Sequence, residues 1–358
     1  MNTRNVAITI IVAVIVVVAG VVAYEHFSSG TSAPKQTITE AGSSLLFPVF
    51  NSWAGNYTNA SIQPAAGGSG LGISQAITGQ TDIGASDAYL PEATANANPY
   101  VMNIPILISY QYIAYNVPGI NNVHLNLSAN VIAGIYMGKI TNWNDSAIRA
   151  ANHGVNLPDH SISPIHRSDG SGDTFMFTSF LSKGNSTWNT TIGASTAPNW
   201  PSVSKALTGD GNTGIIATMK SNQYSIGYIA ATYNKTVTAD GFGIAHLQNR
   251  DGKYVSPTVQ NVITAASKYL NDIPASGTIA LQYAPGPTSY PIADMEYVIV
   301  KQNQTSQAKA TAMQDFLKWA VSSTGGSQSK YLDQLDLAPL PPAVVNNVTI
   351  PLINKIAG

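Results

Sequence analysis

The hydrophobic pattern of this chain changes period several times. Residues 6–23 form an uncharged run dominated by Val, Ile and Ala, near the length needed to span a hydrocarbon core of about 30 Å. Residues 28–36 are rich in Ser, Gly, Thr and Pro and read as a flexible tether. Beyond them, short β-branched runs alternate with helical spacings. Residues 38–40 predict a strand, 41–44 a turn, and about 48–57 a helix. A second strand is expected around Ile62, then a glycine-rich stretch (67–72), a helix through 73–77 and a third strand at 82–85. Near the other end, Met313, Phe316, Leu317 and Ala320 fall on one helical face. Strand–helix alternation of this kind predicts an α/β fold with mainly parallel sheets, in which ligands sit outside the carboxyl ends of strands, at helix N-termini.

A length of 358 residues suits two domains of ordinary size. Charged residues make up only 10% and the formal net charge is −1, so the chain offers no broad positive field to nucleic acid. An anion would have to be held by a local arrangement of donors. The absence of cysteine excludes disulfides, thiol chemistry and thiolate metal sites. Arg4 precedes the apolar run, and Glu25 and His26 follow it, so the positive-inside rule puts the body outside the cytoplasm. The run exceeds the signal-peptide core of about 7–15 residues. No small-x-small site follows it directly, and there is no lipobox cysteine. Residues 1–27 are therefore expected to be an uncleaved transmembrane anchor, with a cleaved signal helix as the alternative. Nine Asn-x-Ser/Thr sequons, from Asn56 to Asn347, agree with a glycosylated exterior.

Four loops carry the candidate chemistry: Ala41–Leu45, Gly67–Gly72, Gly84–Asp87 and His166–Thr174. In three of them glycines and small hydroxyl residues directly precede a helical pattern. Glycine lets backbone N–H groups approach a ligand, and a helix N-terminus offers unpaired donors and the positive end of its dipole. Ser44, Ser69 and Ser171 add hydroxyl donors, and Arg167 a forked, permanently charged one. Together they would form a tetrahedral-oxyanion site. Singly, each has an ordinary reading as a turn, a helix cap or a surface ion pair. Asp87 and Asp173 look misplaced until protons are counted. An ionised carboxylate only accepts hydrogen bonds, so it repels sulfate but can take the proton of hydrogenphosphate.

Gly84-Ala85-Ser86-Asp87-Ala88-Tyr89-Leu90 and the segment HRSDGSGDTFMFTSFLSK (166–183) closely resemble signatures of the phosphate-binding subunit of the high-affinity phosphate ABC transporter, the PstS family. Further matches run through 135–140 with Trp143, through 225–228 and through 340–345, so the resemblance covers nearly everything from about residue 38 onward. It implies a two-lobed periplasmic-binding-protein fold of type II that closes on inorganic phosphate by a hinge and delivers it to membrane permease subunits, as a monomer. By motif position, phosphate-binding groups would come from Ser44, the backbone of Leu45, Ser69, Asp87, Arg167, Ser171, Gly172 and Asp173. Two departures stand out. Many members have threonine where this chain has Asp173, and the first loop reads as one residue longer than the common Ala-Thr-Phe-Pro form. The same comparison puts one lobe at residues 36–110 plus 287–358 and the other at 111–286, with hinges near 109–112 and 285–291.

No catalytic residue, metal or cofactor is expected. His166 and Ser171 are too close in sequence to establish a triad, which is defined by geometry. No Gly-x-Ser-x-Gly elbow is present, and the spacing of His153, His160 and His166 fits no trusted metal motif. A phosphate-ester hydrolase is thus the weaker rival. A binder of sulfate, molybdate or tungstate, or a surface adhesion or sensory protein that keeps the fold without transport, are the others.

Overall fold

In the computed structural model, which describes residues 35–269 and 272–358, the body of the chain opens with β1 (Thr37–Gly42). It continues through α1 (Phe47–Asn56), β2 (Ser61–Ala66), α2 (Ser69–Thr78) and β3 (Ile83–Ser86). This is the expected order. Pro48 lies in the first turn of α1, where its missing N–H is no loss. The glycine-rich stretch differs in part from expectation: α2 starts at Ser69, so residues 69–72 form the helix's first turn and only Gly67 and Gly68 precede it. The apolar run 6–23 lies outside the described residues, and among the described residues no helix is long and apolar enough to cross a membrane.

After β3 comes the sixteen-residue β4 (Val101–Asn116). Then follow α3 (Ala129–Tyr136), β5 (Ser163–Arg167), α4 (Gly172–Gly184), β6 (Leu207–Gly209) and α5 (Gly211–Ser221). The last long elements are β7 (Ser225–Ala230), β8 (Ala293–Lys301) and α6 (Gln307–Val321). The principal sheet runs β2-β1-β3-β8-β4-β7-β5-β6, with two short strands pairing with β4.

The sheet is mixed, where mainly parallel pairing was expected. β1 is parallel to β2 and β3, and β5 to β6 and β7. β8 is antiparallel to both β3 and β4, and β4 is antiparallel to β7. β4 and β8 are buried almost end to end. Strands buried on both faces read as continuous apolar runs, which carry no direction signal. Residues 101–110 of β4 pair with β8, and residues 111–116 with β7. One strand therefore joins two α/β halves, and the fold is two-lobed.

The predicted apolar face of α6 is buried through Met313, Phe316, Leu317 and Ala320. Phe316 packs against Phe50, Trp53 and Tyr57 with ring centroids 5.2–6.2 Å apart. Trp53 also donates to the Gly326 carbonyl at 2.9 Å. Truncating either large ring to alanine would cost about 3–5 kcal/mol. This core fixes the first lobe's strand ends, where two of the anion loops begin.

Candidate oxyanion site

β1 ends at Gly42, whose φ of +142° and close approach to the Ala85 carbonyl (a Cβ would come within 2.1 Å of that oxygen) leave no room for a side chain. The turn that follows aims Ser43 at Asp87. The Ser43 hydroxyl donates to Asp87 Oδ1 and accepts from the Leu45 and Leu46 N–H groups at 3.0 and 3.1 Å. Ser44 faces the other lobe, where its Oγ accepts from the Asn212 side chain at 2.9 Å and backbone at 3.3 Å. Both serines of the first loop are buried, and the one that meets Asp87 is Ser43. The Leu45 N–H, expected to face the anion, is engaged by Ser43, while the Leu45 carbonyl accepts from Thr232 at 3.1 Å.

Ser69 opens α2 and donates to Asp87 Oδ2 at 3.3 Å, while accepting from the Asp87 N–H at 3.2 Å. Ser171 caps α4 by accepting from Thr174 N at 3.2 Å, which places Gly172 and Asp173 in the helix's first turn. Gly172 lies against both groups of the first lobe: a Cβ there would come within 2.5 Å of Asp87 Oδ2 and of Ser69 Oγ. The eight residues singled out from sequence are therefore brought to one place. Gly70 N–H donates across the cleft to the Gly170 carbonyl at 2.8 Å, and Tyr233 donates to the Ser44 carbonyl at 2.9 Å. The lobes are closed on each other here, with Asp87 only 1% exposed and Arg167 only 3%.

Arg167 ends β5. Its Nε and Nη2 bind Asp169 at 2.6 and 2.5 Å, and Nη1 binds Asp173 at 2.8 Å. Of its five N–H groups, two remain for a ligand. Asp173 is held from three sides, by Arg167, by Gln111 at 2.8 Å and by Asn212 at 2.6 Å. All three partners are donors, so Asp173 serves first to seat the guanidinium. Burial opposes the charge of Arg167, but Asp169 and Asp173 more than offset it and hold the group firmly protonated. Asp169 is lowered by Arg167 despite its own burial.

Asp87 has the opposite balance. Burial, then the charge of Asp173, pushes its carboxyl up to about 7, against the opposing pull of Glu296, Ser43 and Arg167. Two further acids stand behind it on β8: Asp294 and Glu296 are both raised well above the ordinary carboxyl range, chiefly by burial. Two ionised carboxylates about 4 Å apart repel by roughly 4 kcal/mol even at an effective dielectric near 20, so such a cluster retains protons.

Sequence reading missed Ser43, Gln111, Asp169, Asn212 and Glu296. Asn212 had a signal, since Gly209-Asp210-Gly211-Asn212 is a fourth glycine-rich strand-to-helix junction. The histidines stand apart from this chemistry. His153 and His160 are exposed, and His166 stacks on Trp200 at 4.3 Å with its pKa lowered by burial. Among the described residues no cluster of His, Cys, Asp and Glu could hold a metal ion. A surface cleft of about 480 Å³ lined by Lys318, Pro339 and Asn346 lies elsewhere and gathers no comparable set of donors.

The fold and this interlobe site define a member of the PBP superfamily: the family model described as the PBP superfamily domain matches residues 28–324. Among solved structures, a high-affinity periplasmic phosphate-binding protein bound with phosphate superposes with a TM-score of 0.70 at 17% identity, covering 90% of this chain and 99% of that one. A phosphate-binding protein from Stenotrophomonas maltophilia gives 0.67 at 18% identity, covering 88% and 93%. Sequence similarity is closer. The phosphate-binding protein PstS of Pasteurella multocida is 34% identical over 91% of this chain and 92% of its own length. That of Methanocaldococcus jannaschii is 30% identical over 89% and 87%. The chain belongs to the PstS family of phosphate-binding proteins.

Proposed function

We propose that this chain binds inorganic phosphate outside the cytoplasm and delivers it to the permease subunits of a phosphate ABC transporter, holding the anion without turning it over. The observation that carries the reading is Asp87, a sealed carboxylate that accepts from two serine hydroxyls and feels the Arg167 charge where two lobes meet. Donors alone would take any tetrahedral oxyanion. A carboxylate among them favours one that brings its own O–H.

Binding groups in this reading are Ser44, the backbone of Leu45, Ser69, Asp87, Arg167, Ser171, Gly172 and Asp173, with Ser43 orienting Asp87. The lobes are residues 36–110 with 287–358, and 111–286, hinged where β4 changes partners. The run 6–23 serves as a membrane tether, which keeps the binder near its transporter at a raised effective concentration. None of the nine sequon asparagines is buried, as glycan attachment requires.

Competition calorimetry with phosphate, sulfate and molybdate across pH tests the reading. Phosphate is expected to bind most tightly, with affinity rising as pH passes about 7 and Asp87 ionises. Failure of phosphate to bind at any pH would reject the proposal.

A further inference from the structure

Glu296 belongs to none of the four loops, yet its carboxyl lies directly behind Asp87. β8 pairs with β3 so that Tyr297 opposes Ser86; carried one residue further, that register sets Glu296 against Asp87, and the two carboxyls are in hydrogen-bond contact. Glu296 is fully buried. Its Oε1 accepts from the Ser109 hydroxyl on β4, while Oε2 meets no donor from the protein.

The charged and titratable groups around the pair come from each packed element. Asp294 and the Tyr297 phenol share β8 with Glu296. Asp173 and Arg167 face Asp87 from the second lobe, the Tyr233 phenol senses the same three groups, and Lys183 acts on Asp294. Among the described residues no cation forms an ion pair with Glu296, Asp87 or Asp294.

Two contacting carboxyls in such surroundings retain a proton between them. The donors decide which side holds it. Asp87 receives the Ser43 and Ser69 hydroxyls and lies within reach of the Arg167 charge. Glu296 receives one hydroxyl. Ionisation is therefore favoured on Asp87 and the neutral acid on Glu296.

We propose that Glu296 is a positioning residue for phosphate recognition: as a neutral acid it donates its O–H to Asp87, and so holds Asp87 as an ionised acceptor turned toward the anion. A carboxylate offers about four lone-pair sites. Ser43, Ser69 and Glu296 occupy three, which leaves one for a single O–H of the ligand. The raised pKa of Glu296 agrees with this arrangement. The proposal takes its ligand from the phosphate reading, but its proton can be tested without one.

Infrared spectra of the full chain without phosphate, at neutral pH, would compare wild type with Glu296→Gln. Protonated-carboxyl C=O absorption is expected to fall by one group in the variant, with the absorption of the other raised acids, Asp294 and Glu40, remaining. Absence of that difference overturns the proposal, whether or not phosphate binds. The second measurement is phosphate affinity against pH for wild type, Glu296→Met and Glu296→Gln.

Methionine removes the donor. It is expected to weaken binding about tenfold and to raise the pH midpoint of the affinity curve by about one unit. Glutamine keeps an N–H donor and is expected to restore most of both. A midpoint lowered in both variants would mean that Glu296 is ionised, and equal losses with an unmoved midpoint would mean a packing role. Either result overturns the proposal. Wild type failing to bind phosphate would defeat the functional reading instead, with the infrared difference still deciding the state of Glu296.

Discussion

Asp173 and Arg167 form a salt bridge of 2.8 Å in which each side chain is 1% exposed. The acid is fixed there by Gln111 and Asn212. Taken with Asp169 on the other edge of the guanidinium, this makes a seat that engages three of its five N–H groups and leaves two for a ligand. Asp173 thus differs in kind from Asp87, although both read from sequence as carboxylates of one pocket.

Replacing Arg167 by methionine would leave two acids without their partner. Breaking a buried pair in this way is expected to cost about 3–5 kcal/mol of stability, read as a lowered thermal midpoint. Phosphate affinity should fall at least about a hundredfold, since two charge-assisted bonds of about 1.5–3 kcal/mol each are lost. Affinity within a few-fold of wild type in calorimetry would show that the guanidinium does not touch the anion.

Asn212 bridges the lobes, with its side-chain amide donating to both Ser44 Oγ and Asp173 Oδ2. Asn212→Leu keeps the volume and removes the donors. A loss of about 1–3 kcal/mol in phosphate binding free energy is expected, the range for orphaning buried acceptors. A variant that binds as tightly as wild type would remove Asn212 from the site.

Gly172 tests closure directly. Gly172→Ala places a methyl within 2.5 Å of Asp87 Oδ2 and Ser69 Oγ, so the lobes must part for it to fit. Alanine itself suits the first turn of a helix, so each lobe should stay folded. The expected outcome is phosphate affinity reduced at least about tenfold, together with a larger radius of gyration in X-ray scattering when phosphate is present. An unchanged radius and affinity would mean that the lobes do not close to this contact.

Glu40, in the middle of β1, is 2% exposed, and neither of its carboxylate oxygens has a hydrogen-bond partner. Burial raises its pKa from 4.5 to about 8, against a weaker opposing pull from the nearby Ala65 backbone, whose approach falls short of a well-formed hydrogen bond. A raised acid favours the folded state fully below its unfolded value, and that contribution is lost as pH climbs through about 8. Glu40→Leu should therefore stabilise the protein more at about pH 9 than at about pH 5. A thermal-midpoint gain that does not vary with pH would contradict the assignment.

How much of this was legible beforehand follows from the physics of each element. Loops that join strands to helices announce themselves through glycine and small hydroxyl residues, so the fragments around Ser44, Ser69, Asp87 and Ser171 could be found from sequence. So could the buried face of α6, whose spacing is helical. The direction of β4 and β8 could not, because both are buried on either face and lack a period of two. The two serines of the first loop could not be told apart, since Gly42 decides which one faces Asp87 through a turn that depends on the Ala85 carbonyl. Glu296 lay hidden for a related reason. An acid in Asp294-Met295-Glu296-Tyr297-Val298 reads as an exposed strand position until the register with β3 shows what it faces.

One strand carries a last implication. β4 exchanges partners between Tyr110 and Gln111. Ser109 reaches Glu296 just before that change, and Gln111 reaches Asp173 just after it. With β4 as the proposed hinge, the proposed anion contacts lie close to the pivot, while the outer rims of the lobes lie far from it. In the proposed reading the molecule would work as a lever with a short inner arm: a permease that grips the rims would move them a long way to part the inner contacts only slightly. Force applied there would be multiplied on the bound ion, so a tightly held ligand could still be released on docking.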